Sequence, residues 1–455
     1  MPHYLDTLSR FVADATFHSL PPSAIAASRD VTLDTLGAIA SGMLEPENLR
    51  LAEWTAENMA PAESTIIATH HRAAAMGAAL VNATAGVALE MDEGNRFGGG
   101  HPAIHVLPGL LAVAERDGAS GADFLTALVV GYEVTSRLGG ATVARPNVHS
   151  HGHWGAPGTA AAIAKLRGMD ASDIRAVINV AASMSPANTW TNAFAGATVR
   201  NLYPGRSAMQ GVMAVALYEC GFTALDDAPS DVYGTILGDS FDGEAAVAGL
   251  GDECRIEQNY FKLHACCRYN HATLDGVQDA ADCARLSPDA VDDIDSVTVS
   301  VPWMLDGMLG DYPQNMLAAK FNLRYAVAAA LATGRTDITV FRTDSIADPT
   351  IRALFDRVSV QVGDAPQRQS VRDPSAGVEI RLRNGAVSRS RVRTIRGDYG
   401  KRIPRSEIVG KFQYLATPAL GPQRTQQALV RIEALQDYAD IRGFIEGIYD
   451  AEAQS

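Results

Sequence analysis

The sequence predicts a mainly α-helical fold, in which a smaller α+β domain is inserted into a large helical domain formed by both ends of the chain. Apolar residues recur at helical spacing from residue 1 to about 260 and again after about 403. Between these regions, segments alternate apolar and polar residues as strands do. A chain of 455 residues is long enough for two ordinary domains. We place the helical domain at 1–267 and 401–455, and the α+β domain at 268–400.

The predicted helices of the first part have recognisable ends. The stretch SLPPSAIAASRDVTLDTLGAIASG has Ser19 or Pro21 as a start signal and Gly42 as a stop signal. The stretch GAPGTAAAIAKLRGMDASDIRAVINVAASM predicts two helices divided near Gly168, with Asp170 as a candidate cap of the second. Three further helices are predicted in LSRFVADATF, ADFLTALVVGYEVTSRLGGA and SAMQGVMAVALYECGF. Their many Ala and Gly residues imply close packing between helices.

The predicted strands follow residue 290. They are IDSVTVSV, VSVQVG and the two halves of AGVEIRLRNGAVSRSRVRTI, which turns at Arg383-Asn384-Gly385. Two helical stretches, MLAAKFNLRYAVAAALATG and DPTIRALFD, separate the strands. Strands and helices mixed in this way predict the α+β domain.

Composition excludes several partners. The formal net charge is −14 and is spread along the chain, which argues against nucleic acid and against an anionic membrane surface. The longest uncharged run, 73–89, is rich in Ala and fits a packed helix better than a membrane span. Five cysteines, an odd and sparse set, favour a reducing compartment. With no secretory signal at the N-terminus, we expect a cytoplasmic protein.

The stretch EMDEGNRFGGGHPAIH, residues 90–105, groups three carboxylates, an arginine and two histidines between two apolar segments. We interpret it as a helix end, a glycine loop and a second helix start, with Pro102 at the first helical position. This arrangement brings Glu90, near the end of the first helix, close to His101, at the start of the second, where a carboxylate and an imidazole can serve acid/base chemistry. The alternative is a solvated, charged loop between helices.

The stretch NVHSHGHWG contains His149, His151 and His153. A His-x-His pair is a known way to hold a metal ion, but no obvious carboxylate companion follows this one. We expect one of these histidines to line a site and the others to be polar surface residues.

The stretch NYFKLHACCRYNHATLDGV combines cations, imidazoles and thiols. Its members are Lys262, His264, Cys266, Cys267, Arg268 and His271. Adjacent cysteines cannot easily bind one zinc ion, and a thiol nucleophile is only weakly indicated. Two cations and two imidazoles near one loop favour an anion pocket, and buried small cysteines are the structural alternative.

Further cations stand in two other stretches. Arg200 and Arg206 flank a turn before a helix, and arginine is the natural bidentate partner of a carboxylate. Lys320, Arg324 and Tyr325 belong to an apolar helical stretch, in which Lys320 and Arg324 are one turn apart on one face. An anion between these two cations would explain them, as would an amphipathic surface face.

Five stretches, taken in order, resemble the MmgE/PrpD family over nearly the whole chain. They are the N-terminal LSRFVADATFHSLPPSAIAASRDVTLDTLGAIASG, then LEMDEGNRFGGGHPAIHVLPGLLAVAE, RNLYPGRSAMQGVMAVAL, FKLHACCRYNHATLDGV and AAKFNLRYAVAAAL. The family includes 2-methylcitrate dehydratase, cis-aconitate decarboxylase and iminodisuccinate epimerase. The resemblance implies a helical domain with a smaller α+β domain, a homodimer, and no metal or organic cofactor.

The resemblance also implies site residues. Its active-site positions fall on Glu90, His101, His149, Arg200, Lys262, Cys267 and Tyr325. We expect His101, His149, Glu90 and Tyr325 to be catalytic, and Arg200, Lys262, Cys267, Arg324 and His271 to bind substrate. His101 would move the proton, with His149 as the second candidate. Glu90 would orient His101 or bind a substrate hydroxyl or amine, and Tyr325 would donate to an intermediate.

Four departures from the family pattern bear on the reaction. Glu90 stands for Asp, Gly94 for Thr, Arg200 for Lys and Cys267 for His, which argues against decarboxylation. The loop before His101 is also one residue longer than in the dehydratase and decarboxylase pattern, and its Glu-x-Asp-Glu-Gly sequence resembles the epimerase-like branch.

These observations predict a cofactor-independent enzyme that moves a proton next to a carboxylate of a small di- or tricarboxylate. Dehydration resembling that of 2-methylcitrate and epimerisation resembling that of iminodisuccinate both remain open. Two other classes also remain open: a metal-dependent hydrolase that uses His151 and His153 with an acidic residue, and a non-catalytic carboxylate-binding protein.

Overall fold

The computed structural model describes residues 3–366 and 371–449, and at position 289 the backbone alone. The chain forms two compact units. The first contains the residues up to Asn188, Asn201–Phe261 and the residues from Pro404 onward, and the second contains Thr189–Arg200 and Lys262–Ile403. The predicted fold class, mainly α with a smaller α+β part, is confirmed. The domain boundaries stay a prediction, and their last residues, 450–455, lie outside the described residues.

The first unit is built from long helices. They are Tyr4–Asp14, Pro22–Met43, Pro46–Asn58, Ala75–Val87, Pro102–Asp117, Gly121–Ala141, Gly155–Leu166, Ala171–Ser183, Leu202–Glu219 and Arg405–Glu433. Shorter helices are Ala228–Asp231, Val232–Ile236, Gly243–Val247, Arg255–Gln258, Leu435–Asp437 and Arg442–Ile445. Short antiparallel strand pairs join Ser64–Thr65 to Arg72–Ala73, Gly94–Asn95 to Asn259–Tyr260, and Thr142–Ala144 to Gly238–Phe241.

The predicted helix starts at Pro21 and Asp170 are confirmed, whereas Gly42, the predicted stop, lies inside its helix, which ends at Met43. Pro22 begins its helix, directly after Pro21. The Asp170 carboxylate accepts hydrogen bonds from the backbone N–H groups of Ser172 and Asp173 at 2.8 and 2.9 Å, which satisfies two donors of the helix start. Small residues allow close packing, since a Cβ at Gly42 would lie 1.9 Å from the carbonyl oxygen of Ala85. None of the helices in the described residues has the length and hydrophobicity that crossing a membrane requires.

The second unit contains a four-stranded mixed sheet. Its strand order is Val387–Val392, Ala376–Leu382, Ile294–Val301 and Val358–Val362. Only the last two strands in this order pair in parallel. The same unit contains the helices His271–Ala284, Leu323–Thr333 and Pro349–Phe355. Its short helices are Thr191–Phe194, Arg268–Asn270, Pro288–Asp293, Asp306–Leu309, Met316–Lys320, Ile338–Phe341 and Thr343–Ile346. The predicted hairpin turn is confirmed, and Gly385 adopts a φ of 88° there.

The predicted helix MLAAKFNLRYAVAAALATG is two helices, Met316–Lys320 and Leu323–Thr333. The Asn322 side chain accepts the backbone N–H of Tyr325 at 2.9 Å and thereby caps the second helix. Lys320 and Arg324 therefore do not share one helical face, and that prediction is wrong.

Candidate active site

The segment between residues 88 and 101 is a buried, structured loop. It leaves the Ala75–Val87 helix through Glu90, whose φ is 55°, and pairs as a short strand at Gly94–Asn95. The Asn95 side chain accepts the backbone N–H groups of Phe97 and Gly98 at 2.9 and 2.8 Å. Glu90, Asp92 and Glu93 are each 1% exposed or less. The alternative of a solvated, charged loop is therefore wrong.

His101 ends this loop and is held by two oxygen atoms. Its Nδ1 lies 2.5 Å from the backbone carbonyl oxygen of Glu93 and 3.0 Å from Oδ2 of Asp92. A carbonyl oxygen only accepts hydrogen bonds, so Nδ1 carries a proton. The neutral ring therefore has its lone pair on Nε2, and the Asp92 carboxylate is placed to stabilise the imidazolium that forms when Nε2 takes a proton. As predicted, Pro102 begins the following helix directly after His101.

His149 has the opposite tautomer. The backbone N–H of His151 donates to Nδ1 of His149 at 3.0 Å, so Nδ1 holds the lone pair. A neutral His149 then carries its proton on Nε2. The first unit thus contains one imidazole fixed as an Nε2 base and another fixed as an Nε2–H donor, and each is fixed by a backbone group.

His151 connects the histidines of this unit. Its ring stacks on His101 with centroids 4.6 Å apart and planes inclined by 12°, and its centroid lies 5.1 Å from that of His149. One ligand atom each of Asp92, His101 and His151 lie within 4.8 Å of one another. The predicted His-x-His pair is therefore divided, because this set contains His151 and not His153.

Two further histidines support the cluster. His105 donates from Nδ1 to the carbonyl oxygen of His101 at 2.7 Å and accepts the N–H of Gly152 at Nε2, 3.1 Å away, so it is neutral. His153 is fully buried, and burial, together with the neighbouring His105, lowers its pKa to about 4. The expectation that two of the three histidines from 149 to 153 are surface residues is wrong, since all three are buried.

Glu93 is a buried carboxyl group with two donors. Its Oε1 accepts the backbone N–H of Ala103 at 2.8 Å, and its Oε2 accepts the Tyr132 hydroxyl at 3.0 Å. Burial raises the pKa of Glu93 to about 8, with smaller contributions from the negative charges of Asp34 and Asp92. Near neutral pH this group is therefore largely protonated, and it holds the loop against the start of the next helix.

Arg206 lies in the Leu202–Glu219 helix and is joined to the histidine segment. Its Nη2 donates to Oδ1 of Asn188 at 2.6 Å, and Nδ2 of Asn188 donates to the carbonyl oxygen of His151 at 2.9 Å. These contacts fix the backbone around His151. The structure thus gives Arg206 a positioning role in the first unit.

The second unit has its own group of buried basic residues. Lys262 is fully buried, and Arg200 is 1% exposed with its guanidinium 4.9 Å from the ring centroid of Phe321. His271 donates from Nε2 to the carbonyl oxygen of Cys266 at 3.2 Å. Burial lowers the pKa of His271 well below its usual value, and nearby positive groups that include Lys262 add to this effect. The anion pocket stays a prediction.

The thiols of this unit are buried, as the structural alternative expected. Cys266 is fully buried, and Cys267 is 5% exposed and donates its N–H to the carbonyl oxygen of Lys320 at 3.0 Å. In the described part of the chain, which holds all five cysteines, no disulfide forms.

Two predicted site residues make structural contacts in the second unit. Arg324 donates to the carbonyl oxygens of Phe355 and Val358, both at 3.1 Å, and lies 3.9 Å over the Phe355 ring. The buried Tyr325 hydroxyl donates to the carbonyl oxygen of Val340 at 2.8 Å. These contacts give no support to substrate binding by Arg324 or to proton donation by Tyr325.

Sequence reasoning missed Asp92, His151 and Glu93. Asp92 and Glu93 are two of the three carboxylates in EMDEGNRFGGGHPAIH, and their position in a segment bounded by apolar helices is a signal of burial. The sequence offers His151 as a metal ligand or as one of three histidines, of which one lines a site. No local pattern indicates that it stacks on His101, which is fifty positions earlier in the sequence.

Comparison with known proteins agrees with this architecture. Residues 6–238 match the model of the MmgE/PrpD N-terminal domain, and residues 264–437 match that of the MmgE/PrpD C-terminal domain. A cis-aconitate decarboxylase-like protein from Aspergillus oryzae is 23% identical over 97% of this chain and 96% of its own length. Cis-aconitate decarboxylase from Aspergillus terreus is 22% identical, over 94% and 92% respectively. The enzyme of that name from Mus musculus is 23% identical, over 80% and 76%. The chain belongs to the MmgE/PrpD family.

Proposed function

We propose that the chain is a cofactor-independent enzyme that moves a proton on a carbon next to a carboxylate of a small di- or tricarboxylate. The tautomer of His101 is the observation that carries this proposal. Its Nδ1–H is bonded to the carbonyl oxygen of Glu93 beside the Asp92 carboxylate, so its Nε2 is a base supported by a buried negative charge. This is the arrangement by which an imidazole accepts a proton and is stabilised once it has done so.

His149 is the proposed second proton-moving group. Because its Nδ1 accepts a backbone N–H, its Nε2 is the position that carries a proton. A base and an acid with fixed, complementary tautomers are what both elimination and epimerisation require. In elimination, the base removes the proton on the carbon next to the carboxylate, the bond to the β-hydroxyl breaks, and the acid protonates the leaving oxygen, so that water is lost.

Negative charge must be neutralised during such a reaction, because a carbon next to a carboxylate is a very weak acid. Buried cations are suited to this task, since electrostatic interactions are stronger where water is excluded. Lys262 and Arg200 are the buried cations that we propose to bind substrate carboxylates. His271 and Cys267 of the same unit are proposed to line this cationic group, whereas Glu90, buried in the first unit, is proposed to bind a substrate hydroxyl or amine.

The family and the relatives support three reaction types. Dehydration and epimerisation follow from the base and acid described above. Decarboxylation is favoured by the names of the relatives, whereas Glu90, Gly94, Arg200 and Cys267 at positions of the family motifs argue against it. We therefore place a lyase that eliminates water, or an epimerase, before a carboxy-lyase.

The experiment is a product screen by NMR. The full chain, treated with a chelator, is incubated with citrate-, methylcitrate-, malate-, tartrate- and aspartate-derived carboxylates and with cis-aconitate. Loss of a hydroxyl identifies a dehydratase, scrambled stereochemistry an epimerase, and released carbon dioxide a decarboxylase. Binding of a carboxylate without any conversion would overturn the proposal in favour of a carboxylate-binding protein. Turnover of a substrate only after zinc or manganese is restored would overturn it in favour of a metal-dependent hydrolase.

We also propose a homodimer in the cytoplasm. The family resemblance supports the dimer, and five cysteines without a disulfide in the described residues agree with a reducing compartment. Light scattering coupled to size exclusion tests the dimer directly, and the mass of a single chain would contradict it.

A further inference from the structure

We propose that Asp92, His101 and His151 form a binding site for a divalent transition-metal ion of the zinc class. One ligand atom of each residue lies within 4.8 Å of the other two. Asp92 is fully buried, His151 is 1% exposed and His101 is 8% exposed. The three side chains therefore converge in a space with little access to water.

The chemistry of these ligands selects the ion. One carboxylate oxygen and two imidazole nitrogens suit zinc and its neighbours, whereas magnesium and calcium prefer oxygen ligands alone. Three protein ligands leave a fourth position of a tetrahedral ion for water. The Asp92 carboxylate suits a cation, and a second acidic side chain, Glu90, is buried in the same loop.

The surrounding structure holds the ligands in place. His101 is oriented by its Nδ1–H bond to the carbonyl oxygen of Glu93, and metal-binding histidines are commonly oriented by such a bond. The backbone of His151 is fixed on both sides, since its N–H donates to His149 and its carbonyl oxygen accepts from Asn188. Little ordering is therefore left for the ion to impose.

The ligands must rearrange to close on an ion. Zinc bonds of about 2.0–2.1 Å place tetrahedral ligand atoms about 3.3 Å apart, so the present separations, up to 4.8 Å, must shrink by at most about 1.5 Å. The His151 ring, now stacked on His101 with the planes 12° apart, must also turn, because an imidazole binds an ion in the plane of its ring. The Asp92 carboxylate must move from Nδ1 of His101 towards the ion at Nε2.

Binding of the ion would block the base. This consequence, unlike the binding itself, rests on the proposed function, in which His101 accepts the substrate proton. Zinc added to the chelated enzyme should then inhibit it.

The test measures binding without substrate, so that it stands whether or not turnover is found. Zinc is titrated calorimetrically into the chelated full chain as wild type, His151→Gln and His70→Gln. His70 is the matched control, because it is exposed, and its ring centroid lies 4.0 Å from that of the half-buried His71. We expect one zinc ion per chain in the wild type, at least a tenfold weaker affinity for H151Q, and no change for H70Q.

Cobalt keeps the proposal testable if H151Q folds poorly. Co²⁺ bound to the wild type should show the intense visible absorption of a tetrahedral site with nitrogen and oxygen ligands. Absence of zinc binding by the folded wild type, equal affinity in folded H151Q, or loss of binding in H70Q alone would each overturn the proposal. Weak, octahedral Co²⁺ absorption would overturn it too.

Discussion

Oδ2 of Asp92 lies 3.0 Å from Nδ1 of His101, and the Asp92 side chain is fully buried. The carboxylate thus faces Nδ1, whereas the proposed base is Nε2, the other nitrogen of the ring. When Nε2 of His101 takes a proton, the positive charge that develops on the ring is next to this carboxylate. We therefore propose that Asp92 positions His101 and stabilises its charge.

The first prediction concerns this pair. Replacing Asp92→Asn keeps the size of the side chain but removes its charge, so kcat should fall about 10²-fold with little change in KM. Steady-state kinetics on the substrate identified by NMR measures both constants. Asp252→Asn, at an exposed position, is the matched control and should leave both unchanged. Unaltered kcat in D92N would show that the carboxylate does not assist His101.

The second prediction concerns the ionisation of Glu93. Since burial raises its pKa to about 8, a neutral amide should replace it well. We expect the free energy of unfolding of Glu93→Gln at pH 7 to lie within about 1 kcal/mol of the wild-type value, because an amide can still bond Ala103 and Tyr132. Glu93→Ala should lower the free energy of unfolding by about 2–4 kcal/mol, since it leaves the N–H of Ala103 and the hydroxyl of Tyr132 without their hydrogen-bond partner. Guanidinium unfolding measures both, and equal losses in the two variants would show that an ionised carboxylate is required.

The third prediction is a pH dependence of stability. The pKa of His153 is about 4 in the folded protein and about 6.5 when unfolded, so the unfolded chain binds more protons between these values. The contribution of His153 to stability is complete above pH 6.5 and is lost as the pH falls towards 4. From pH 7 to pH 5, the wild type should lose about 2 kcal/mol more than His153→Gln.

The control for this effect is His18→Gln, at an exposed position. Between pH 7 and pH 5, its free energy of unfolding should fall by the same amount as that of the wild type. Fluorescence-monitored unfolding in denaturant measures this free energy for each protein. Equal slopes for H153Q and the wild type would mean that His153 is not held neutral by burial.

The fourth prediction concerns the packing beneath the histidines. A Cβ at Gly155 would lie 2.4 Å from Cγ of His105, whose Nδ1–H donates to the carbonyl oxygen of His101. Gly155→Ala should therefore destabilise the protein by about 1–3 kcal/mol. Gly410→Ala is the contrast, because no atom lies within 4 Å of its Cβ position in the Arg405–Glu433 helix. Alanine there should stabilise by up to about 1 kcal/mol. Thermal melts compare the two, and a fully stable G155A would contradict this packing.

Periodicity predicted most of the fold. Apolar spacing, Pro21, Pro102 and Asp170 located helices, and alternation with a turn at Gly385 located the hairpin. These signals are local, since each depends on residues within one or two turns of helix or along one strand. The break between Lys320 and Leu323 was missed because apolar residues continue through it, although Asn322 was the available capping signal.

The candidate site was only partly predictable. His101 could be placed at a helix start from Pro102 alone. The contact of Asp92 with His101 could not be predicted, because it depends on how the loop pairs at Gly94–Asn95 with a strand far along the chain, Asn259–Tyr260. The stacking of His151 on His101 likewise joins distant segments that have no shared period. The structural contacts of Arg324 and Tyr325 are also tertiary. The charge of Arg324 had suggested substrate binding, and the family resemblance had implied catalysis by Tyr325.

The most direct measurement of the central claim is solvent-deuterium exchange catalysed by the wild type and by His101→Gln. Both proteins, with matched circular dichroism and melting, are incubated in deuterium oxide with the carboxylate identified by the product screen. If Nε2 of His101 takes the proton, the wild type incorporates deuterium next to the carboxylate, and H101Q does so at least 10²-fold more slowly. Exchange by folded H101Q at the wild-type rate would contradict the account and place the base elsewhere in the chain.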